Sequence, residues 1–539
     1  MSLRLAPSAA LTMENAQRTG TNSVRWRTLI LLSLLIGIVA IVSRFIIERP
    51  APQDNAQALP SVRGRVLAGG RPLAGARVRF KGQAVSSLTD ESGRFTLRQP
   101  SAMSTRITAW KNGFFIAGAN TNDGPIELQL DALPVVDAID YKWIDPAPDP
   151  QGEHNCANCH SQIYNEWSSS AHARSVSNRR FQNLIDGSDW KGRANHGWNL
   201  MTEHPNGVAV CNSCHAPSVS FDSPANNDLR LARGVDSKGV HCDFCHKVKD
   251  ATADARGLTH GRFGMLLLRP EKGQLFFGPL QDVDRGEDAY APVYQQSRYC
   301  ASCHEGVVFG VHVYSTYTEW LKSPARRQGK QCQSCHMQPS GRLRNIAPGK
   351  GGIDRDPTTL ASHRTPGGNV EMLRRCLTVK TRVVPSSDSV TIECTVTADR
   401  VGHRVPTGFI DRHLILVLEA RDADNTHLLP LSGKRLPDLA GSSLQGRAGK
   451  LYAKQTRGFD GASPVPFWRA QPDVIDTRLK PGQPDKTKYT FPATTSFISV
   501  RLIYRRFWQA VAIEKGWPSD EIIVIEKEID VNRVAHKPD

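Results

Sequence analysis

Between Cys156 and His336 the pattern Cys-x-x-Cys-His occurs five times. The copies are Cys156-Ala-Asn-Cys159-His160, Cys211-Asn-Ser-Cys214-His215, Cys242-Asp-Phe-Cys245-His246, Cys300-Ala-Ser-Cys303-His304 and Cys332-Gln-Ser-Cys335-His336. No other feature constrains the fold as strongly, because this pattern attaches covalent c-type haem. The two thiols add to the porphyrin vinyl groups, and the adjacent His becomes the proximal iron ligand. Two intervening residues place both sulfurs along one porphyrin edge. The next residue then turns its imidazole under the iron. The expected cofactors are therefore five covalently attached c-type haems. Zinc is the competing reading, since Cys-x-x-Cys is also half of a zinc site. His is only 17 of 539 residues, so five Cys-x-x-Cys pairs would all precede a His by accident less than about once in ten million trials.

Ten of the twelve cysteines lie in these motifs, leaving Cys376 and Cys394. An exported location would permit a disulfide between them. The length of 539 residues implies several domains, and a hydrophobic content of 39% is enough for ordinary cores. The formal charge of +16 resembles a nucleic-acid signal. Haem propionates offset part of that excess, so nucleic acid is excluded as a partner. An acidic redox partner or an anionic membrane surface remains compatible with the charge.

Residues 1–27 are polar and basic, and 28–47 are almost uncharged and rich in Leu, Ile and Val. That stretch has the length of a single transmembrane helix. The positive flank on its N-terminal side puts 1–27 in the cytoplasm and the remainder outside. A cleaved signal peptide is the alternative, with Ala56-Gln57-Ala58 as a cleavage site. The expected location is the inner membrane, single-pass, with the bulk of the chain in the periplasm. A linker rich in Pro, Ala and Gln follows over 48–60. Short alternating runs such as Arg77-Val78-Arg79-Phe80 and Arg94-Phe95-Thr96-Leu97, separated by Gly69-Gly70 and Asp90-Glu91-Ser92-Gly93, then predict a small β-sandwich over 61–133. Pro72-Leu73-Ala74-Gly75-Ala76-Arg77-Val78 with Thr89-Asp90-Glu91-Ser92-Gly93-Arg94-Phe95 resembles the carboxypeptidase-regulatory-like domain. Such domains are usually spacers or docking modules, and no catalytic constellation is visible here.

The motif region spans 150–368. Its first-Cys separations are 55, 31, 58 and 32. The first and fourth motifs are each followed by Tyr-x-Glu-Trp-x-x-Ser: Tyr164, Glu166, Trp167, Ser170, and Tyr317, Glu319, Trp320, Ser323. Motifs one and two, and motifs four and five, therefore read as two versions of one unit. Tyr and Trp three apart share a helical face, which suits packing against a porphyrin. Together with Gly239-Val240-His241-Cys242-Asp243-Phe244-Cys245-His246 and Lys330-Gln331-Cys332-Gln333-Ser334-Cys335-His336-Met337, these elements resemble the cytochrome c-554 family, which includes the relatives of hydroxylamine oxidoreductase. The resemblance covers about 150–410. It implies a mainly helical multihaem domain with little regular structure, close haem pairs, and mostly two His ligands per iron.

Sixth ligands must come from the remaining histidines. Nine lie between 154 and 403, so supply does not force an open iron. His172, His260 and His363 match ligand positions of the resembled family, and His403 in Gly402-His403-Arg404-Val405-Pro406-Thr407-Gly408 resembles a recurring element of it. His312 and His204 are further candidates, ahead of His196, His154 and His241. His312 is expected to replace, in the second copy, the ligand that His172 supplies in the first. From 369 to 539 short β-type runs predict a C-terminal β-sandwich. The expected fold class is thus multidomain α+β: transmembrane helix, small β-sandwich, haem domain and C-terminal β-rich domain. The expected function is electron transfer between redox protein partners in or on the membrane or in the periplasm. The alternatives are an oxidoreductase acting on a small nitrogen or sulfur compound at one open-coordinated haem, and a quinol dehydrogenase.

Overall fold

The alternation Arg77-Val78-Arg79-Phe80 sends every second side chain to one face of a strand, and Val78 and Phe80 are the buried pair. In the computed structural model, which describes residues 61–99, 105–122, 124–152, 155–206, 209–219, 228–252 and 256–535, such strands build two sheets. One runs Arg71–Pro72, Ser61–Ala68, Arg94–Arg98, with Ile126–Gln129 parallel to Ser61–Ala68. The other runs Ser86–Leu88, Arg77–Phe80, Arg106–Trp110, Ala117–Asn120. Val66, Phe95 and Leu97 from the first sheet share a core with Val78, Phe80 and Ile107 from the second. The Asp90-Glu91-Ser92-Gly93 turn closes because the Asp90 carboxylate accepts from Ser92 N at 2.9 Å and Arg94 N at 2.8 Å. This β-unit is bolted to the motif region: Lys81 Nζ and Arg106 Nε donate to Asp284 at 2.7 and 2.6 Å, and Gly82 N donates to Asp282 at 2.7 Å.

The motif region is held in single helical turns joined by irregular chain. Its longest helices, Ser161–Ser168, Arg179–Asp186 and Ser297–His304, have 8 residues each. Two-stranded pieces stiffen the connections, notably the hairpin Glu305–Val308 with Val311–Ser315.

In the C-terminal part the run His413-Leu414-Ile415-Leu416-Val417-Leu418 has no polar alternation, and such a strand must be covered on both faces. It is. Leu414, Leu416 and Leu418 of strand His413–Arg421 pack against the three-stranded sheet Leu377–Pro385, Ser389–Ala398, Asp485–Pro492. Ile415 and Val417 face the other way, into a core shared with Leu184, Ile185, Val311 and Val313 of the motif region. Residues 61–539 accordingly form one compact unit.

One expectation is corrected. Among the described residues no helix is long and apolar enough to cross a membrane, so a transmembrane helix is not part of the observed fold class. Residues 1–60, with the stretch 28–47, lie outside the described residues. Around the motifs the regular structure is mostly short helical turns, as expected, while extended sheets carry the cores on either side. The physical reason is that a Cys-x-x-Cys-His turn needs one helical turn only, and side chains packed around a cofactor replace helix–helix contacts. Cys376 and Cys394 are unbridged. Leu377, next to Cys376, pairs with Ala398, four residues along the strand from Cys394. At ~3.4 Å per residue that separation exceeds what a disulfide spans.

Candidate functional site

Each motif forms a helical turn in which its two cysteines, three apart, share one face: Cys156–Cys159, Ala209–His215, Cys242–Cys245 and Ser297–His304, with Gln333–His336 completing the fifth. The adjacent imidazoles are oriented by backbone carbonyls. His160 Nδ1 meets Ile346 O at 2.7 Å, His215 Nδ1 meets Ser175 O at 3.3 Å, His246 Nδ1 meets Phe277 O at 2.6 Å, and His336 Nδ1 meets Pro366 O at 2.7 Å. A carbonyl only accepts, so Nδ1 carries the proton and the Nε2 lone pair is left for a metal. Burial favours the neutral form of four of the five motif rings: it lowers the pKa of His160 and His246, brings His215 down to about 4, and His304 to about 3.

All ten motif cysteines and all five motif histidines line one cavity of about 1960 Å³. A site for a single ligand-sized body takes ~300–1,000 Å³, so this space accommodates several. Its walls include Trp167, Phe277, Tyr294 and Trp320, with Arg285, Arg355, Arg375 and Arg412 among its cations. Buried neutral imidazoles, paired thiols and aromatic walls with scattered guanidinium groups fit a porphyrin carrying propionates.

Among the described residues, five histidines outside the motifs line the cavity: His172, His241, His260, His363 and His403. His172 faces His304 with ring centroids 6.3 Å apart, and His403 faces His336 at 6.2 Å. An iron bound at ~2 Å by Nε2 of two opposed imidazoles requires about this centroid separation. His403 Nδ1 meets its neighbour's carbonyl, Arg404 O, at 2.9 Å, leaving its Nε2 available. His363 lies within electrostatic reach of His246 and is pushed down to about 4, chiefly by burial. His260 sits against Gly306.

His204, His196 and His312 do not line this cavity. His204 packs against Phe309. His312 stands on the hairpin strand Val311–Ser315, and its Nε2 contacts the Glu305 carboxylate. The expectation that His312 supplies the second copy's distal ligand gains no support from this placement, because the atom a metal would need already faces an acid. His241 is different again. Its Nδ1 accepts the Phe244 N–H at 3.3 Å and caps the helix Cys242–Cys245, so the proton sits on Nε2. Its position immediately ahead of a helical turn is the sequence signal for that capping role.

The grouping of the motifs also changes. Cys156 lies within hydrogen-bonding reach of Cys242, and Cys300 of Cys332, first cysteine against first cysteine in both cases. The repeated pairs are thus motifs one with three and four with five. Cys214 contacts Cys303, and Cys245 lies close to Cys300 and Cys303. The motifs form a connected series, one to three to four to five, with two joining at four.

This arrangement defines a multihaem c-type cytochrome that transfers electrons. Residues 155–247, which hold three of the motifs, match the family Cytochrome c554 and c-prime. The fold is similar to that of a penta-haem cytochrome c552 from Thermochromatium tepidum, with a TM-score of 0.52 and 21% sequence identity over 70% of this chain and 97% of that one. No curated protein matches the chain in sequence.

Proposed function

We propose that the chain binds five c-type haems and relays electrons between redox protein partners on the periplasmic side of the inner membrane. Bound haem supplies an iron that changes charge by one electron without bond making. The chain's own part is to hold thiols and neutral imidazoles in place and to keep water from the cavity. The observation that carries the reading is the unbroken series of motif contacts inside one cavity, with two opposed histidine pairs at 6.2 and 6.3 Å. His172 with His304, His403 with His336, and His363 with His246 would each hold one haem iron between them, and His260 would serve one of the two remaining motifs. The cations on the cavity wall account for part of the +16 charge as propionate partners. Mass spectrometry of the exported protein tests the stoichiometry and should find five haems; two or more empty motifs would sink it. Low-temperature electron paramagnetic resonance of the oxidised protein tests the ligation, with low-spin iron expected at the assigned pairs.

One observation favours a second reading. Of the five non-motif histidines lining the cavity, His241 carries its proton on Nε2, which leaves four ligand-ready rings for five motifs among the described residues. An iron with a single His ligand would admit a small nitrogen or sulfur compound. One high-spin haem that binds nitrite or hydroxylamine would establish this oxidoreductase reading.

A further inference from the structure

The Tyr-x-Glu-Trp-x-x-Ser element makes the same two long-range contacts in both copies. In the first, Trp167 Nε1 donates to Val240 O at 2.9 Å, two residues ahead of Cys242. Glu166 Oε2 accepts from His363 N at 2.8 Å and from Ser362 Oγ at 3.0 Å. In the second, Trp320 Nε1 donates to Lys330 O at 2.9 Å, two residues ahead of Cys332. Glu319 Oε2 accepts from Arg404 N, beside His403, at 3.1 Å and from Thr407 Oγ1 at 3.1 Å. The indole register is identical although 86 residues separate Cys156 from Cys242 and only 32 separate Cys300 from Cys332; the carboxylate meets the N–H of His363 itself in the first copy and the N–H one residue past His403 in the second.

Each copy therefore grips two opposed pieces of chain. The indole fixes the approach to a motif whose His is His246 or His336. The carboxylate fixes the loop that carries His403, the ring facing His336, or His363, which lies within electrostatic reach of His246. The Glu166 and Glu319 side chains are only 6% and 8% exposed, and a buried carboxylate is tolerated only where its lone pairs are taken up. Here backbone N–H and hydroxyl groups of the histidine loops take them up, with Arg478 Nη2 at 2.6 Å as the counter-charge of Glu319.

We infer that Glu166 and Glu319 are positioning residues for the distal imidazoles at the third and fifth motifs, while Trp167 and Trp320 hold the proximal side of the same two centres. The inference rests on the axial pairs proposed above. It explains why the element follows motifs one and four: each leading motif carries the clamp for its partner, three or five.

The test uses full-length holoprotein with its haem content verified by mass spectrometry. Glu166→Ala and Glu319→Ala should each yield one more CO-binding ferrous haem per molecule than the parent. Glu166→Gln and Glu319→Gln keep an oxygen that accepts the loop N–H, so they should stay low-spin. Each should nevertheless shift one midpoint potential upward, because a negative charge that favours ferric iron is gone. A purely structural role would give neither the rescue nor the shift. Alanine variants that keep their haems and gain no CO-binding site overturn the inference. His363→Ala and His403→Ala are the reference: if neither creates a high-spin haem, the axial pairs themselves fail. If both do and the Glu variants do not, only the positioning role fails. Should an alanine variant not accumulate, Ser362→Ala and Thr407→Val each remove one hydroxyl from the clamp. A faster CO association at one haem supports the inference, and an unchanged rate in both overturns it.

Discussion

A histidine offers iron a lone pair at Nε2 only when Nδ1 holds the proton, so the group beside Nδ1 decides which rings are ligands. Carbonyls stand beside Nδ1 of His160, His246, His336 and His403, whereas an N–H stands beside Nδ1 of His241. His241→Asn, which keeps a capping oxygen, should leave the number of low-spin haems unchanged in paramagnetic resonance spectra, while His403→Ala should cost one. Gly239 supplies a second residue-level prediction. It lies at φ +68°, and a Cβ there would sit 2.5 Å from the carbonyl oxygen of His172. Gly239→Ala should displace the His172 loop and make one haem high-spin, with the absorption spectrum as the measurement. Away from the cavity, Asp411 is fully buried and burial pushes its carboxyl up to about 8 from 3.8. The native state then holds a proton that the unfolded chain releases above about 4, so stability falls as pH rises from about 4 to about 8. Asp411→Asn removes that loss. Its thermal midpoint should exceed the parent's by an amount that grows across this window and is absent near pH 4. By pH 8 the gain should be at least about 1.4 kcal/mol, the equivalent of one pKa unit.

Among the elements, strand His413–Arg421 does the most to join the parts of the molecule. Its even positions pack on the three-stranded sheet and its odd positions on the motif region. Leu416 and Ile415 are both 0% exposed on opposite faces. Leu416→Ala and Ile415→Ala should therefore each cost roughly 2–5 kcal/mol in denaturant unfolding, the range for a large buried aliphatic residue. A strand with one solvated face would show that cost at one position only. The motif helices are the opposite case. Each is too short to be stable alone, and each is held by contacts from its flanks, such as Gln331 Oε1 accepting from Ser297 N and Oγ, both at 2.8 Å, between the fourth and fifth motifs.

At the scale of the whole molecule, the small β-unit closes one side of the cavity, since Lys81 and Arg106 belong to its wall. Both cations converge on Asp284, whose side chain is 2% exposed. Removing the buried carboxylate takes away the ion-pair partner of Lys81 and Arg106, and because Arg106 is 38% exposed and keeps its bonds to Asn120 and Gly118, the cost falls below the ~3–5 kcal/mol of a fully buried pair. Asp284→Ala should loosen the β-unit and expose the connection 134–150 to limited proteolysis, with the haem count unchanged. Cleavage no faster than in the parent would show that the β-unit is held by other contacts.

The attachment chemistry was legible from residue order alone, because a haem motif is complete within five consecutive residues. The small β-unit and the C-terminal strands were legible for a similar reason: period-two alternation and turn residues are local signals, as Val78, Phe80 and Gly93 illustrate. Which histidines outside the motifs line the cavity was only partly legible. His172, His260, His363 and His403 stood out by their sequence surroundings, but so did His312, and nothing in the neighbouring residues reveals that its Nε2 meets Glu305 across a hairpin. Which motifs touch was not legible from chain order, since likeness in sequence reports repetition along the chain while Trp167 and Trp320 reach the carbonyls of Val240 and Lys330 in space. What only the tertiary structure decided is therefore which imidazole faces which, because folding brings residues such as His336 and His403 together across intervals that no local spacing encodes.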